Sequence, residues 1–302
     1  MTNLDLLADA TEAGIPELKG KVRPLTVLGE GWNSLAVETV GGVVFRIPKH
    51  AEAARKIVIE RQVMPELAPT LPVAVPVPAW RGRPSSLCPY GLTGYRKVPG
   101  EPVDVSMFDH VAVARFVKQL GEFFAALHAF PLERASELGV PDNWREQYLL
   151  LRGAVMPLLA KELTPDEYAQ VDAWWENYLS DGRNWNFLPV VVHGDVRPEH
   201  LLVNKRGDLT GVIDFGEVMI GDAALDFGGI AGYVSPEIAH ITFESYRANG
   251  GALDQDSMRR ATTLAMAVPF FTISMASRTA TPQVPTLADG IAELRAGPIL
   301  SD

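Results

Sequence analysis

Cysteine is almost absent. Cys88 stands alone among 302 residues, which excludes an intramolecular disulfide and fits a reducing compartment. Basic charge is also short: Lys and Arg number 27 against 37 Asp and Glu, so the net charge is 27 − 37 = −10. A nucleic-acid binder needs a basic face, and none is expected here. Long apolar runs are missing too. The longest candidate, residues 261–277, has 17 residues and contains Pro269 and several hydroxyls, which falls short of the roughly 20 apolar residues of a membrane span. The opening MTNLDLLADATEAG has no basic n-region and no apolar h-region, so no signal peptide is expected. Repeats and low-complexity segments are lacking as well. The expectation is a cytoplasmic monomer without membrane or nucleic-acid partners.

What is present is two kinds of periodicity. Residues 3–13 predict a short amphipathic helix with Asn3 as its cap. RPLTVLGEG, SLAVETV and GVVFRIP read as strands, with Gly41-Gly42 as a hairpin turn. Residues 51–67 have helical spacing. LPVAVPVPAW and LTGYRKV read as further strands, the first broken by prolines and so expected at an edge. After a boundary near Gly100–Val105 the pattern turns helical. Helices are expected over 105–130, over 142–163 with a kink at Pro157, from Thr164-Pro165-Asp166-Glu167 onward, and over 222–234, 236–249, 256–278 and 284–296. A β-like island at 190–215 interrupts them. The expected fold class is α+β.

That island carries the chemistry. In VVVHGDVRPEHLLV an apolar strand runs into His193-Gly194-Asp195, and His200 follows. Val212-Ile213-Asp214-Phe215-Gly216 repeats the layout, with Asp214 lying 214 − 195 = 19 residues after Asp195. A hairpin with its tip at Lys205–Asp208 would bring both strand-end carboxylates to one cleft. Such a pair can divide labour: one orients a hydroxyl and the other holds a divalent cation. By itself, each strand-end aspartate is equally a turn residue bonding nearby amides. Upstream, Leu28-Gly29-Glu30-Gly31-Trp32-Asn33-Ser34 could bring backbone amides against phosphates. A cation in Phe45-Arg46-Ile47-Pro48-Lys49 could pair with Glu60 on the next helix, although a surface ion pair accounts for those residues equally well.

Taken together, Gly29-Glu30-Gly31, Arg46 to Lys49, Glu60, His193-Gly194-Asp195 with His200, and Ile213-Asp214-Phe215-Gly216 followed by Asp222 and Asp226 resemble the aminoglycoside and macrolide phosphotransferase family. The resemblance implies a bilobal protein-kinase-like fold: a β-rich N-terminal lobe with the hinge (1–100) and a helical C-terminal lobe with the catalytic loop and acceptor site (101–302). It implies Asp195 as base or hydroxyl-orienting residue, and Asp214 as a ligand of magnesium bridging the phosphates of GTP or ATP. Gly29, Gly31 and Ser34 would line the phosphate loop. Arg46 or Lys49 would contact phosphate and Glu60 would steady the cation. Tyr95, Arg96, Lys97 and Val98 would form the hinge, with Tyr95 biasing the pocket toward guanine. His200 stands where kinases carry asparagine, as in the aminoglycoside 2''-kinases and macrolide 2'-kinases, which tend to accept GTP. It would ligate metal, orient a water, or pack against the Asp195 loop.

For the acceptor, an aminoglycoside wants a dense carboxylate patch, and the acids after Asp226, such as Glu237, Glu244, Asp254 and Asp256, are scattered. A macrolide wants apolar walls and a few carboxylates. Ile230, Tyr233, Val234, Phe270, Phe271 and Met275 with Glu237 could supply them, or could be ordinary core. The reading is a macrolide 2'-phosphotransferase conferring resistance. The alternatives are an aminoglycoside O-phosphotransferase, a kinase of another small-molecule hydroxyl, or a non-catalytic nucleotide binder.

Overall fold

The computed structural model describes residues 3–142, 144–278 and 285–301. α1 (Leu4–Gly14) starts at Asn3, whose side-chain oxygen accepts from the amides of Asp5 and Leu6. β1 (Leu25–Glu30), β2 (Ser34–Thr39) and β3 (Val43–Pro48) then form an antiparallel meander. α2 (Ala51–Leu67) follows, capped by the His50 ring. β4 (Pro78–Gly82) and β5 (Leu92–Arg96) complete a five-stranded sheet in the order β1-β2-β3-β5-β4. β4 lies at the edge as expected, but of the strand expected over 71–80 only 78–80 belong to it, because Pro72 and Pro76 have no N–H for a ladder. α1 packs on the sheet, and Leu7, Ile15, Val22, Val37 and Phe45 form a small core there.

The remainder is mostly helical. β6 (Glu101–Pro102) is followed by α3 (His110–His128), α4 (Leu132–Glu137), α5 (Trp144–Glu162) and α6 (Pro165–Ser180). β7 (Pro189–Val192), β8 (Leu201–Val203), β9 (Leu209–Val212) and β10 (Met219–Asp222) come next. α7 (Ala224–Tyr233), α8 (Pro236–Ala248), α9 (Ser257–Met266), α10 (Val268–Arg278) and α11 (Leu287–Ala296) close the chain. The whole is a bilobal kinase-like α+β fold. A large core runs through this half, with Phe116, Phe123, Phe124, Trp175, Phe227 and Phe270 fully buried. Val63, Met64, Leu67 and Val75 join it from the N-terminal side. A parallel bridge pairs Ala74 with Gly211 on β9, and two backbone bonds tie Ala74 to Thr210 and Val212.

Several boundaries differ from the sequence pattern for local reasons. α3 begins at His110, because Asp109 caps it and the preceding 105–107 is a separate 3-10 turn capped by Asp104. The expected helix over 256–278 is two helices parted at Ala267. Pro269 has no N–H to donate to residue 265, which ends the α9 ladder. Pro157 leaves α5 continuous from 144 to 162. Residues 143 and 284, in two of the expected helices, lie outside the described residues. β8 pairs with β9 as expected, and β6 adds to its other side. β7 pairs instead with β10, a partner that the pattern did not suggest. Among the described residues no helix is long and apolar enough to cross a membrane.

Helices α3 and α8 meet at Gly121, where a Cβ would lie 2.4 Å from Ser245 Oγ and 2.8 Å from the Tyr246 amide nitrogen. Gly121→Ala should therefore destabilise the protein. The helix-propensity gain of up to ~1 kcal/mol is outweighed by an overpacking cost of about 1–3 kcal/mol. Urea unfolding reads the sign, and a stabilised variant would contradict the close crossing.

Candidate active site

The loop that carries Asp195 leaves β7 at His193. Gly194 has φ +85°, and a Cβ there would lie 2.3 Å from the Glu217 carbonyl oxygen, so glycine is required. The loop backbone is held from below by Asp226 on α7. Its carboxylate accepts from the amides of His193 (3.0 Å) and Gly194 (2.9 Å) and contacts His128 Nε2 at 3.0 Å. The His193 ring is buried. Its Nε2 donates to the Ile213 carbonyl (2.9 Å), and Nδ1 accepts from the Asp195 amide (3.3 Å). One imidazole thus joins the two strand ends that carry Asp195 and Asp214.

Asp214 has left-handed backbone geometry, with φ 66° and ψ 65°. The Arg46 guanidinium sits between two carboxylates. Nη1 donates to both oxygens of Glu60 (2.7 and 2.9 Å), and Nη2 lies 2.9 Å from Asp214 Oδ1. Burial works to raise the Asp214 carboxyl, but Arg46 first, then His200 and His193, hold it down at about 2. Burial likewise opposes the charge on Arg46, and Asp214 and Glu60 override it, so the guanidinium stays protonated.

His200 donates through Nδ1 to the Asp195 carbonyl at 2.7 Å. That bond leaves the Nε2 lone pair facing Asp214 Oδ2, 3.7 Å away. A neutral imidazole nitrogen and a carboxylate converging in this way could share one divalent cation. Among the described residues no cluster of three or more His, Cys, Asp or Glu is arranged around a metal. A cation here would therefore take its other ligands from phosphate and water, the usual manner of magnesium.

Lys49 takes a different place from Arg46. Its Nζ donates to the Gly31 carbonyl (2.8 Å) and pairs with Glu30 (2.9 Å), pinning the turn between β1 and β2. Arg46 is therefore the cation that reaches the two cleft carboxylates. In the turn itself, the Gly31 amide bonds to the Ser34 carbonyl, and a Cβ on Gly29 or Gly31 would meet no atom within 4 Å. At the lobe junction Tyr95 is buried on β5. The Arg96 and Lys97 side chains turn outward, to Trp80 with Gly41 and to Glu38. The Lys97 amide is bound to the Gly42 carbonyl, so the backbone of 96 and 98 is what this segment can offer a ligand.

A model of the phosphotransferase enzyme family matches residues 24–261. The chain belongs to this family. Solved structures similar to the phosphotransferase include the GDP and kanamycin complex of APH(2")-IIIa, 25% identical with a TM-score of 0.85, covering 97% of this chain and 98% of that one. The macrolide 2'-phosphotransferase MphH from Brachybacterium faecium is 24% identical with a TM-score of 0.67, covering 99% and 100%. Among curated proteins, the uncharacterized protein YcbJ of Bacillus subtilis (strain 168) is 25% identical over 195 residues. That match covers 61% of this chain and spans 60% of YcbJ's length.

The expected acceptor residues of the phosphotransferase scatter. Ile230 and Phe270 have 0% exposure, and Phe270 packs on Trp174 and Trp175. They are core, because an apolar stripe marks burial without saying which buried face it fills. Val234 and Phe271 pack against the same core. Met275 is half-buried on α10. Glu237 is exposed, and its carboxylate accepts from the Ser235 hydroxyl that caps α8. Among the described contacts, Tyr233 is the one of the seven that reaches the catalytic loop: the Arg197 guanidinium lies 4.6 Å from its ring centre. Sequence reasoning missed Arg197 and His128. Arg197 was legible only as the cation two residues after Asp195, and His128 carried no local signal.

Burial holds the His193 ring below the ordinary histidine value, against the opposing pull of the Asp226 carboxylate and with help from His200. Above about pH 6.5 the folded and unfolded chains are both neutral at this site. Below it the unfolded chain takes a proton that the folded chain refuses, so stability falls as pH falls. Denaturation midpoints between pH 7.5 and 5 should drop more steeply for the wild type than for His193→Gln. Parallel curves would remove His193 as a source of acid sensitivity.

Proposed function

We propose that the chain transfers the γ-phosphate of GTP or ATP to the 2'-hydroxyl on the amino sugar of a macrolide. Such a transfer would confer resistance to the drug. In this reading Asp195 orients the acceptor hydroxyl and accepts its proton. Asp214 and His200 hold Mg2+, which when bound neutralises the nucleotide's phosphate charge. Arg46 presents its guanidinium to phosphate oxygens while Glu60 keeps it in place. The Gly29–Ser34 turn covers the phosphates, and Lys49 acts by steadying that turn. Tyr95 and the backbone of Arg96 to Val98 receive the purine. Most of the rate comes from positioning and charge, since phosphoryl transfer asks little covalent chemistry of the protein. The N-terminal unit of this reading is residues 1–100, and the catalytic and acceptor unit is 101–302.

The observation that carries the acceptor choice is a groove of about 360 Å³ beside Tyr233. Ala265, Met266, Val268, Pro269 and Ile299 give it apolar walls, and among the described residues that line it Glu293 is the one carboxylate. A large apolar ring with a single ammonium group suits those walls, whereas a polyammonium ligand would find one partner. The second reading is an aminoglycoside phosphotransferase, favoured by the closer structural likeness to the kanamycin complex.

Purified protein with GTP or ATP and Mg2+ should phosphorylate erythromycin far more efficiently than kanamycin. The reverse result overturns the acceptor assignment, and EDTA should abolish transfer. Asp195→Ala should lose about 10²–10⁴-fold in kcat with nucleotide binding retained, and wild-type turnover would remove Asp195 from its role. Gly31→Ala should leave the thermal midpoint unchanged, since a Cβ there meets open space, but weaken nucleotide binding. Unchanged nucleotide affinity would dissociate the turn from the phosphates.

A further inference from the structure

The residues beyond Asp195 are as constrained as the aspartate itself. Val196 is 3% exposed. A Cβ on Gly229 of α7 would lie 2.7 Å from the Val196 carbonyl oxygen, so the loop presses on bare helix backbone there. Arg197 precedes Pro198, which excludes helical backbone at 197, and Arg197 is extended with φ −140° and ψ 159°. Its side chain reaches back to Asp195 and over α7. Nε donates to Asp195 Oδ1 at 2.7 Å, and the guanidinium covers the ring of Tyr233, with 20% of the side chain exposed. Tyr233 in turn lines the groove that holds Glu293.

We propose that Arg197, seated on Tyr233, positions the Asp195 carboxylate and filters acceptors by charge. The proposal rests on the reading of Asp195 as the transfer-site carboxylate. The arginine occupies Oδ1. Oδ2 has His200 Nδ1 at 3.8 Å, beyond hydrogen-bond reach, and is the oxygen left for an acceptor hydroxyl. An approaching acceptor meets a neutralised Asp195–Arg197 pair instead of a lone carboxylate. A polycation gains little from such a pair, and the remaining acid of the groove, Glu293, can satisfy one ammonium. An acceptor of one positive charge loses nothing by comparison. A planar guanidinium suits both jobs, because it stacks on an aromatic face while donating in its own plane.

The test is steady-state kinetics on erythromycin, with one amine, and kanamycin, with several, for wild type, Arg197→Met, Arg197→Lys and Tyr233→Leu. Arg197→Met should lower kcat on the wild-type acceptor about 10- to 100-fold with KM for nucleotide unchanged. It should also raise the kanamycin-to-erythromycin ratio of kcat/KM about tenfold or more, as an uncovered carboxylate attracts the polycation. Arg197→Lys should restore the ratio but only part of kcat, because ammonium lacks the planar stack. Tyr233→Leu, which keeps the charge but unseats the guanidinium, should lower kcat on either acceptor. Wild-type kcat in Arg197→Met overturns the positioning role, and an unmoved ratio overturns the filter. A wild type that phosphorylates kanamycin alone overturns the macrolide reading and the filter together, and the positioning role is then decided by kcat on kanamycin.

Discussion

The structure depends on one buried carboxylate, Asp226. It is fully inaccessible and takes the amides of His193 and Gly194 and the ring of His128. Those amides belong to a loop that breaks from a strand, so no ladder partner is available to them. Leaving them unpaired at this depth would cost about 1–3 kcal/mol each. Asp226 supplies the partner, and in doing so fixes the orientation of the peptide planes from which Asp195 departs. His128 is itself in contact with the Tyr246 hydroxyl, so the support reaches back into the crossing of α3 and α8.

Above this base the cleft is organised by alternation of charge. Glu60, Arg46 and Asp214 form a line, and Lys56 pairs with Glu217 beside it, joining α2 to the segment after Asp214. Each ion offsets the desolvation of its neighbour. Removing the central arginine would leave two carboxylates facing each other across the cleft. Helix α2 is thereby tied to the catalytic half through side chains and through the core contacts of Val63, Met64 and Leu67.

Much of this was legible in the sequence, where local chemistry decides local structure. Asn3, the Thr164–Glu167 capping box, the span of α2 and the edge placement of β4, though not its expected start at residue 71, followed from the residues themselves. The strand-end aspartates and their convergence followed from spacing and a hairpin. What stayed hidden was set by tertiary partners. Arg46 and Lys49 are three residues apart on one element, and only the fold determines which faces Glu60. Ile230 and Phe270 have the pattern of a wall but sit inside the core. The pairing of β7 with β10 joins residues thirty positions apart through a segment whose intervening strands pair elsewhere. Arg197 gains its meaning from Tyr233, which comes from a different helix.

The bridge between Ala74 and Gly211 has a mechanical consequence. It fastens the segment after α2 directly to the hairpin that presents Asp214. The chain passes between its halves at residues 96–100, and the bridged segment adds a second tie, riveted to the hairpin that carries Asp214. Any opening between the halves would then be a tilt of the sheet about that rivet, like a lid on its pin. The turn at Gly31 would travel furthest, while Glu60, carried on the pinned helix, would stay nearly still.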